Sequence, residues 1–206
     1  MGYPMAMGYP PMGYPGGSYP ASYYSSSSRQ ENNYSAQGSF FRGTDVPEFK
    51  LKWLSIVNMN TNNTGAFSGD WDSRISVINP NKINMYFNNF HVQIYYKEAP
   101  MGSSLGSGFE LGERESRELN LKASSTPTNP IYMDKWRMEE MEKERGSGSV
   151  TFSLHVGTIT TYRTGYMSSR TWQMEARCQD VKLLFKNGAN SGAYDNGDKP
   201  IDCRLF

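Results

Sequence analysis

Little in this chain is equipped for chemistry. Two histidines, His91 and His155, and two cysteines, Cys178 and Cys203, stand far apart among 206 residues. A metal centre usually draws on ligand pairs a few residues apart, and that spacing is missing. The acidic run Glu139-Glu140-Met141-Glu142 lacks the Asp and Gly spacing of a calcium loop. Gly146-Ser147-Gly148 precedes an apolar strand run instead of following one, the wrong order for a phosphate cradle. No cofactor is expected. Neither sign of charge dominates, with 21 Lys plus Arg against 20 Asp plus Glu. Without a basic stripe there is no electrostatic case for nucleic acid. Long apolar runs are also missing, since no stretch approaches the ~18 consecutive residues of a spanning helix. Met1 to Pro20 has neither the basic start nor the apolar core of a secretory signal. Taken alone, the residues describe a soluble, cytoplasmic chain without an export address.

What is present divides unevenly. Residues 1–45 form a Gly/Tyr/Pro/Ser-rich tail and linker containing the imperfect repeats Met1-Gly2-Tyr3-Pro4, Met7-Gly8-Tyr9-Pro10, Met12-Gly13-Tyr14-Pro15 and Gly17-Ser18-Tyr19-Pro20. Recurrent Pro breaks helix and sheet, and so little apolar side chain cannot offset the entropy of ordering. The tail is expected to be disordered, either as an inert tether or as a Tyr-studded arm for weak self-association. Residues 46–206 are a normal size for one domain.

Within that domain apolar and polar residues alternate. Phe49, Leu51 and Trp53 share one face of a run, as do Trp71, Ser73, Ile75 and Val77. The same holds for Phe90, Val92, Ile94 and Tyr96, for Val150, Phe152, Leu154 and Val156, and for Trp172, Met174, Ala176 and Cys178. Period two means one face buried and one wet. Many such runs separated by Gly, Asn, Pro and Ser turns predict an all-β fold, an antiparallel β-sandwich with Trp53 and Trp172 among its inward side chains. Asn79-Pro80-Asn81 follows one run and precedes another, so Ile75 to Phe90 reads as strand, tight turn, strand. Tyr132 to Arg145 has no breaker and is followed by Gly146. It predicts one short amphipathic helix capped by that glycine, with Met138, Met141 and Trp136 near one side.

Three sets of residues are candidates for a site. Gly102-Ser103-Ser104-Leu105-Gly106 matches the nucleophile elbow of serine hydrolases, with His91 or His155 as the available base. It lacks the flanking strand and helix, and a hairpin or crossover loop is the plainer reading. Cys178 and Cys203 approach each other if their strands pair as a hairpin around residues 187–199. They are then either a disulfide closing a loop of about 25 residues or two free thiols in a reducing compartment. Asn62-Asn63-Thr64 is an N-glycosylation sequon in a polar loop, and Asn33-Tyr34-Ser35 is another within the tail. Exposed aromatics, with Tyr95, Tyr96 and Tyr162 as candidates, raise a further alternative, a carbohydrate-binding module that stacks sugars on their rings.

Four marks in order carry a resemblance. They are Val46-Pro47-Glu48-Phe49, the strand-turn from Ile75 to Asn81, Tyr95-Tyr96 leading to Leu105-Gly106, and the strands Val150 to Leu154 and Trp172 to Cys178. Behind a Tyr/Pro-rich tail, this arrangement resembles the plant late embryogenesis abundant family of the second type. That family bears the water-stress and hypersensitive-response domain and includes the harpin-induced, disease-resistance-like membrane proteins. Asn79, Pro80 and Asn81 would be its turn motif. The resemblance implies a fibronectin- or immunoglobulin-like sandwich, a non-enzymatic stress or defence role, and an unidentified protein or cell-wall partner. It also implies display at the plasma membrane, with Asn62 and the Cys178/Cys203 pair in an oxidising compartment. The span such proteins carry would fall between Arg42 and Val46, where only Gly43-Thr44-Asp45 stands. Our expectation is that an apolar segment is missing from this point.

Overall fold

The computed structural model describes residues 44–206 apart from 63, 165–167, 187–188, 196 and 198. The tail repeats and the sequon at Asn33 lie outside the described residues. The alternating runs become β1 (Glu48–Thr61), β2 (Ala66–Ile78), β3 (Met85–Tyr96), β4 (Ala99–Gly106), β5 (Phe109–Leu111) and β6 (Ser116–Ser125). After β7 (Ile131–Tyr132) and α1 (Lys135–Gly146) come β8 (Ser149–Thr164), β9 (Ser168–Phe185), β10 (Gly192–Tyr194), β11 (Ile201–Asp202) and β12 (Arg204–Leu205). The strands form one antiparallel sheet in the order β4-β3-β8-β9-β10-β1-β2-β6, with β11, β12, β5 and β7 added to β1, β9, β3 and β2.

The sheet is nearly closed, and two glycines let its ends meet. Trp71 Nε1 donates to the Met101 carbonyl at 3.3 Å. A Cβ at Gly102 would come within 3.0 Å of the Trp71 ring, and one at Gly106 within 2.8 Å of Leu121. Those are the two glycines of the elbow-like pattern. The segment is strand β4 rather than the expected loop, and the turn before it is made by Lys97 and Glu98 at φ of +43° and +69°. Its glycines serve close approach.

Inside lies a single apolar core that includes Phe49, Leu54, Trp71, Ile75, Val92 and Phe152. Trp71 meets Phe152 edge to face at 5.0 Å. Two of the predicted inward side chains are not inside, and the register explains both. On β1, Leu51 pairs with Ile75 but Trp53 pairs with Arg74, so Lys52 is an extra residue. The bulge flips the following side chains, because a strand's faces alternate with period two. Leu54 and Ile56 are therefore buried and Trp53 is 39% exposed. Trp172 keeps the buried parity of β9 yet remains 37% exposed. Opposite it stands Thr160, and β12 joins the other edge of β9 only at Ala176 and Arg177. A second bulge between Cys178 and Val181, with Asp180 at φ +56°, carries burial on to Leu183 and Phe185.

The helix begins later than its sequence pattern, because Ile131 and Tyr132 pair with Phe67 and Ala66 as β7. Gly146 is its last turn rather than its cap. Ser147 caps it, and Gly148 takes the left-handed conformation at φ +98°. Met138 and Met141 are buried as expected, whereas Trp136 is exposed beneath the Arg137 guanidinium. Lys97 holds Glu140 and Glu144 at 2.6 and 3.1 Å, and Thr61 donates to Glu142 at 2.6 Å, so α1 ties the ends of β1 and β3 together.

Candidate functional site

The outward side chains of three neighbouring strands make a polar groove of about 590 Å³. Strand β3 contributes His91, Gln93 and Tyr95, and β8 contributes Ser153, His155 and Gly157. Strand β9 contributes Gln173, Glu175, Arg177 and Gln179, and Glu98 of the β3–β4 turn closes one end. Register alone lines them up: Gln93 faces His155, which faces Arg177, while His91 faces Gly157, which faces Glu175.

Glu175 organises the floor. Its carboxylate accepts from Arg177 Nε at 2.7 Å and a terminal guanidinium nitrogen at 3.2 Å, and His155 Nδ1 lies 3.1 Å away. The guanidinium holds the Glu175 carboxyl below the usual carboxylate range. Burial and the Arg177 charge hold the His155 imidazole below its ordinary value, outweighing the Glu175 carboxylate, which pulls it upward. His155 is thus a neutral ring at physiological pH. Tyr95 packs on it with centroids 4.5 Å apart and donates from its hydroxyl to Gln93 Oε1 at 3.0 Å. On the far side the Arg177 guanidinium covers the Phe206 ring at 4.5 Å, and Phe206 and Glu175 exchange backbone hydrogen bonds. This arrangement can donate, accept and stack.

The sequence candidates are scattered. Ser104 pairs with Val92, whereas His91 pairs with Leu105, so the serine shares the face of Val92 and the imidazole takes the opposite one. His155 looks outward into the groove, and the structure therefore brings neither base to Ser104. Tyr96 and Tyr162 are 0% and 2% exposed and cannot serve as stacking platforms. Burial pushes the Tyr96 phenol up to about 12, and its hydroxyl donates to Glu144 at 3.2 Å. Tyr95 alone of the three tyrosines borders the groove. Among the described residues no cluster of His, Cys, Asp or Glu has the makings of a metal site.

Cys178 and Cys203 are joined, with S–S 2.05 Å and Cα–Cα 4.2 Å. Their strands are not one simple hairpin. β10 first pairs with both β9 and β1, then β11 runs on β1 and β12 on β9. The exposed Asn62 folds its side chain back, accepting from Thr64 Oγ1 at 2.6 Å and Ala66 N at 2.9 Å. Asn79, Pro80 and Asn81 form a corner rather than a hairpin, because β2 and β3 lie apart in the sheet. Asn79 Nδ2 donates to the carbonyls of Ile83 and Gly112, each at 2.8 Å. Asn81 exchanges hydrogen bonds with the backbone of Asp45, both at 2.7 Å.

The groove residues were invisible as a site in the sequence, where they are merely the polar half of three alternating strands. Their composition is the one signal: Gln, His and Tyr recur at the outward positions of these strands.

No family model matches the sequence. NDR1/HIN1-like protein 2 of Arabidopsis thaliana is 19% identical over 151 residues, which is 73% of this chain and 60% of that protein. The chain thus spans about 60% of the length of the curated relative it matches. Among solved structures, a protein from Archaeoglobus fulgidus covers 63% of this chain and 96% of its own, with TM-score 0.28 and 9% identity. The solution structure of a putative late embryogenesis abundant protein covers 69% and 74%, with TM-score 0.29 and 11% identity. Scores of that size carry no weight for function. The chain has a distant sequence likeness to an NDR1/HIN1-like protein.

Proposed function

We propose that this chain is a non-enzymatic stress- or defence-response protein of the second late embryogenesis abundant type. Its 46–206 domain would be a β-sandwich that binds a partner through the groove on β3, β8 and β9, behind the 1–45 tail. One observation carries the reading. The likeness to NDR1/HIN1-like protein 2 runs through 151 residues, 73% of the chain, in which Ser104 and the histidines lie on different faces. The harpin-induced, disease-resistance-like subgroup and display at the plasma membrane belong to the same proposal, with Asn62 glycosylated and Cys178 and Cys203 bonded outside the cytosol. Among the described residues no helix is long and apolar enough to cross a membrane.

The test is genetic. Disabling the gene should weaken the response to water deficit or to a pathogen elicitor, and the wild-type chain should restore it. An unchanged response to both, with the transcript unaltered by either treatment, overturns the reading. A fluorophosphonate probe examines the rival reading, since specific labelling of the folded chain abolished by Ser104→Ala would make it a hydrolase.

A further inference from the structure

We infer that the groove takes a neutral polysaccharide, a polyhydroxylated chain without carboxylate or sulfate groups. This names the ligand class of the site proposed above and rests on that reading.

The groove is poorly suited to peptides and to charged ligands. Its walls come from β3, β8 and β9, of which β3 and β8 are paired on both sides along the groove. From Glu175 to Arg177 the outer edge of β9 is met by Phe206 and β12, so an extended peptide over that part of the floor cannot add itself as a strand and must be held by side chains alone. The charges argue next. Arg177 is the sole lining residue with a fixed positive charge, and it is engaged by Glu175 through two hydrogen bonds. Glu98 adds a carboxylate at one end, so the lining carries more negative than positive charge. An anionic ligand would find no available cation and one like charge. A cationic ligand would meet Glu98 at one end, but on the floor it would have to separate Glu175 from Arg177 and His155.

What remains is amide, hydroxyl and ring. Gln173 and Gln179 each bring one acceptor and two donors to the lining, and Gln93, whose Oε1 already accepts from the Tyr95 hydroxyl, brings its two donors and a remaining lone pair. A side-chain amide can meet two hydroxyls on adjacent carbons, donating to one and accepting from the other. His155 turns Nδ1 to Glu175, so its neutral ring leaves Nε2 as an acceptor. Tyr95 adds apolar ring surface to the lining, part of it packed against His155. With strands ~4.8 Å apart and a rise of ~3.3 Å per residue, the patch from Gln93 across to Arg177 suits a short run of sugar units lying over the sheet. Vicinal hydroxyls on a flat apolar ring match this set of groups better than a peptide or an acid does.

The full-length protein, uniformly labelled with nitrogen-15, is titrated with soluble xyloglucan, mixed-linkage β-glucan and galactomannan, with polygalacturonate as the anionic control. At least one neutral glycan should shift the amide signals of Gln93, His155 and Gln173. Gln93→Ala and Gln173→Ala should each weaken it by about tenfold, as the loss of one or two hydrogen bonds implies. Val57→Ser, on the distant strand β1, should leave affinity unchanged. Neutral glycans that move none of these amides, or that move only signals elsewhere, overturn the inference. Tighter binding of polygalacturonate does the same. In those cases the wider reading survives if Gln93→Ala still fails to restore the stress response in a gene-disabled line. A Gln93→Ala, Gln173→Ala double variant that restores it fully removes the groove from the function, whatever glycan binds in the tube.

Discussion

The backbone N–H of Asn81 donates to the Oδ1 of Asn79 at 2.9 Å, so the corner between β2 and β3 is closed by a side chain. The Asn79 Nδ2 is then free to tie Ile83 and Gly112, and Asn81 reaches back to Asp45. Both asparagines are buried. One corner thereby fixes the start of β3, the turn before β6 and the segment leading into β1.

Replacing Asn79 with Ala would leave the Asn81 N–H and the Ile83 and Gly112 carbonyls short of partners. Each buried group so stranded costs about 1 to 3 kcal/mol, and water can reach part of the corner, so a loss of about 3 kcal/mol is expected. Asn79→Asp is the sharper variant. It keeps the acceptor but aims a carboxylate at two carbonyl oxygens, and it should be at least as damaging. Urea unfolding measures both, and an Asp variant as stable as wild type would mean that the Nδ2 bonds contribute little.

The β1 bulge separates two tryptophans that the sequence treats alike. Trp71→Ala empties a site at the centre of the core and should cost about 3 to 5 kcal/mol. Trp53→Ala removes a side chain that lies on the surface and bonds only Ser55 Oγ, at 3.2 Å. That change should cost less than about 1 kcal/mol. Equal losses in thermal or urea unfolding would place Trp53 inside and remove the bulge at Lys52.

This contrast marks what could be read from residues alone. Alternation located β2, β8 and the Phe90-to-Tyr96 part of β3 with their buried faces, because inward parity runs unbroken through those stretches, whereas a bulge ahead of Phe90 leaves Phe87 and Phe90 both buried. It failed at Trp53 because the bulge at Lys52 adds a residue without leaving a composition signal, and β1 then reads with the wrong parity beyond it. The Gly102-to-Gly106 pattern looked like a loop since glycine and serine dominate it. Only the approach of Trp71 and Leu121 reveals why a strand there needs small residues. The corner at Asn79 was visible as a turn, but its long-range bonds to Gly112 and Asp45 were not, because local spacing carries no information on what lies across a sheet. The groove required three strands in register before its members became neighbours.

Acid should weaken the fold in two stages traceable to the groove. His155 has a depressed folded value, so the unfolded chain takes up its proton first as pH falls. Its contribution is full above the unfolded value of ~6.5 and declines below it. Glu175 is also depressed, and its contribution is full above the unfolded value of ~4.3 and is lost as pH falls further. The groups facing His155 are Glu175, Arg177 and Tyr95. Only Glu175 would welcome a proton on the ring, which is why the first loss should be modest. His155→Gln should flatten the stability curve between pH ~6.5 and ~5 and leave the steeper acid limb. A variant with the same slope in that window would assign the proton uptake to another group.

The Cys178–Cys203 bond should stabilise the domain and also hold one edge of the groove. Its partners are separated by 25 residues in sequence, and cross-linking a loop of that size restricts the unfolded chain by about 3 kcal/mol. Cys203 is further placed by its own N–H, which donates to the Phe49 carbonyl at 2.9 Å. Immediately beyond it, β12 pairs with Arg177 and Ala176, and Phe206 lies under the Arg177 guanidinium. Loosening Cys203 therefore frees the strand that flanks Arg177 and Glu175. Cys203→Ser and the Cys178→Ala, Cys203→Ser double variant should each lose about 3 kcal/mol in urea unfolding. Reductant should bring wild type down to the same level while leaving both variants unmoved. Hydrogen exchange should quicken at the amides of Glu175 and Phe206, which bond each other across β9, before it quickens in β2. A wild type indifferent to reductant would mean that β12 is held by its backbone bonds and the Phe206 ring, with the sulfurs adding nothing.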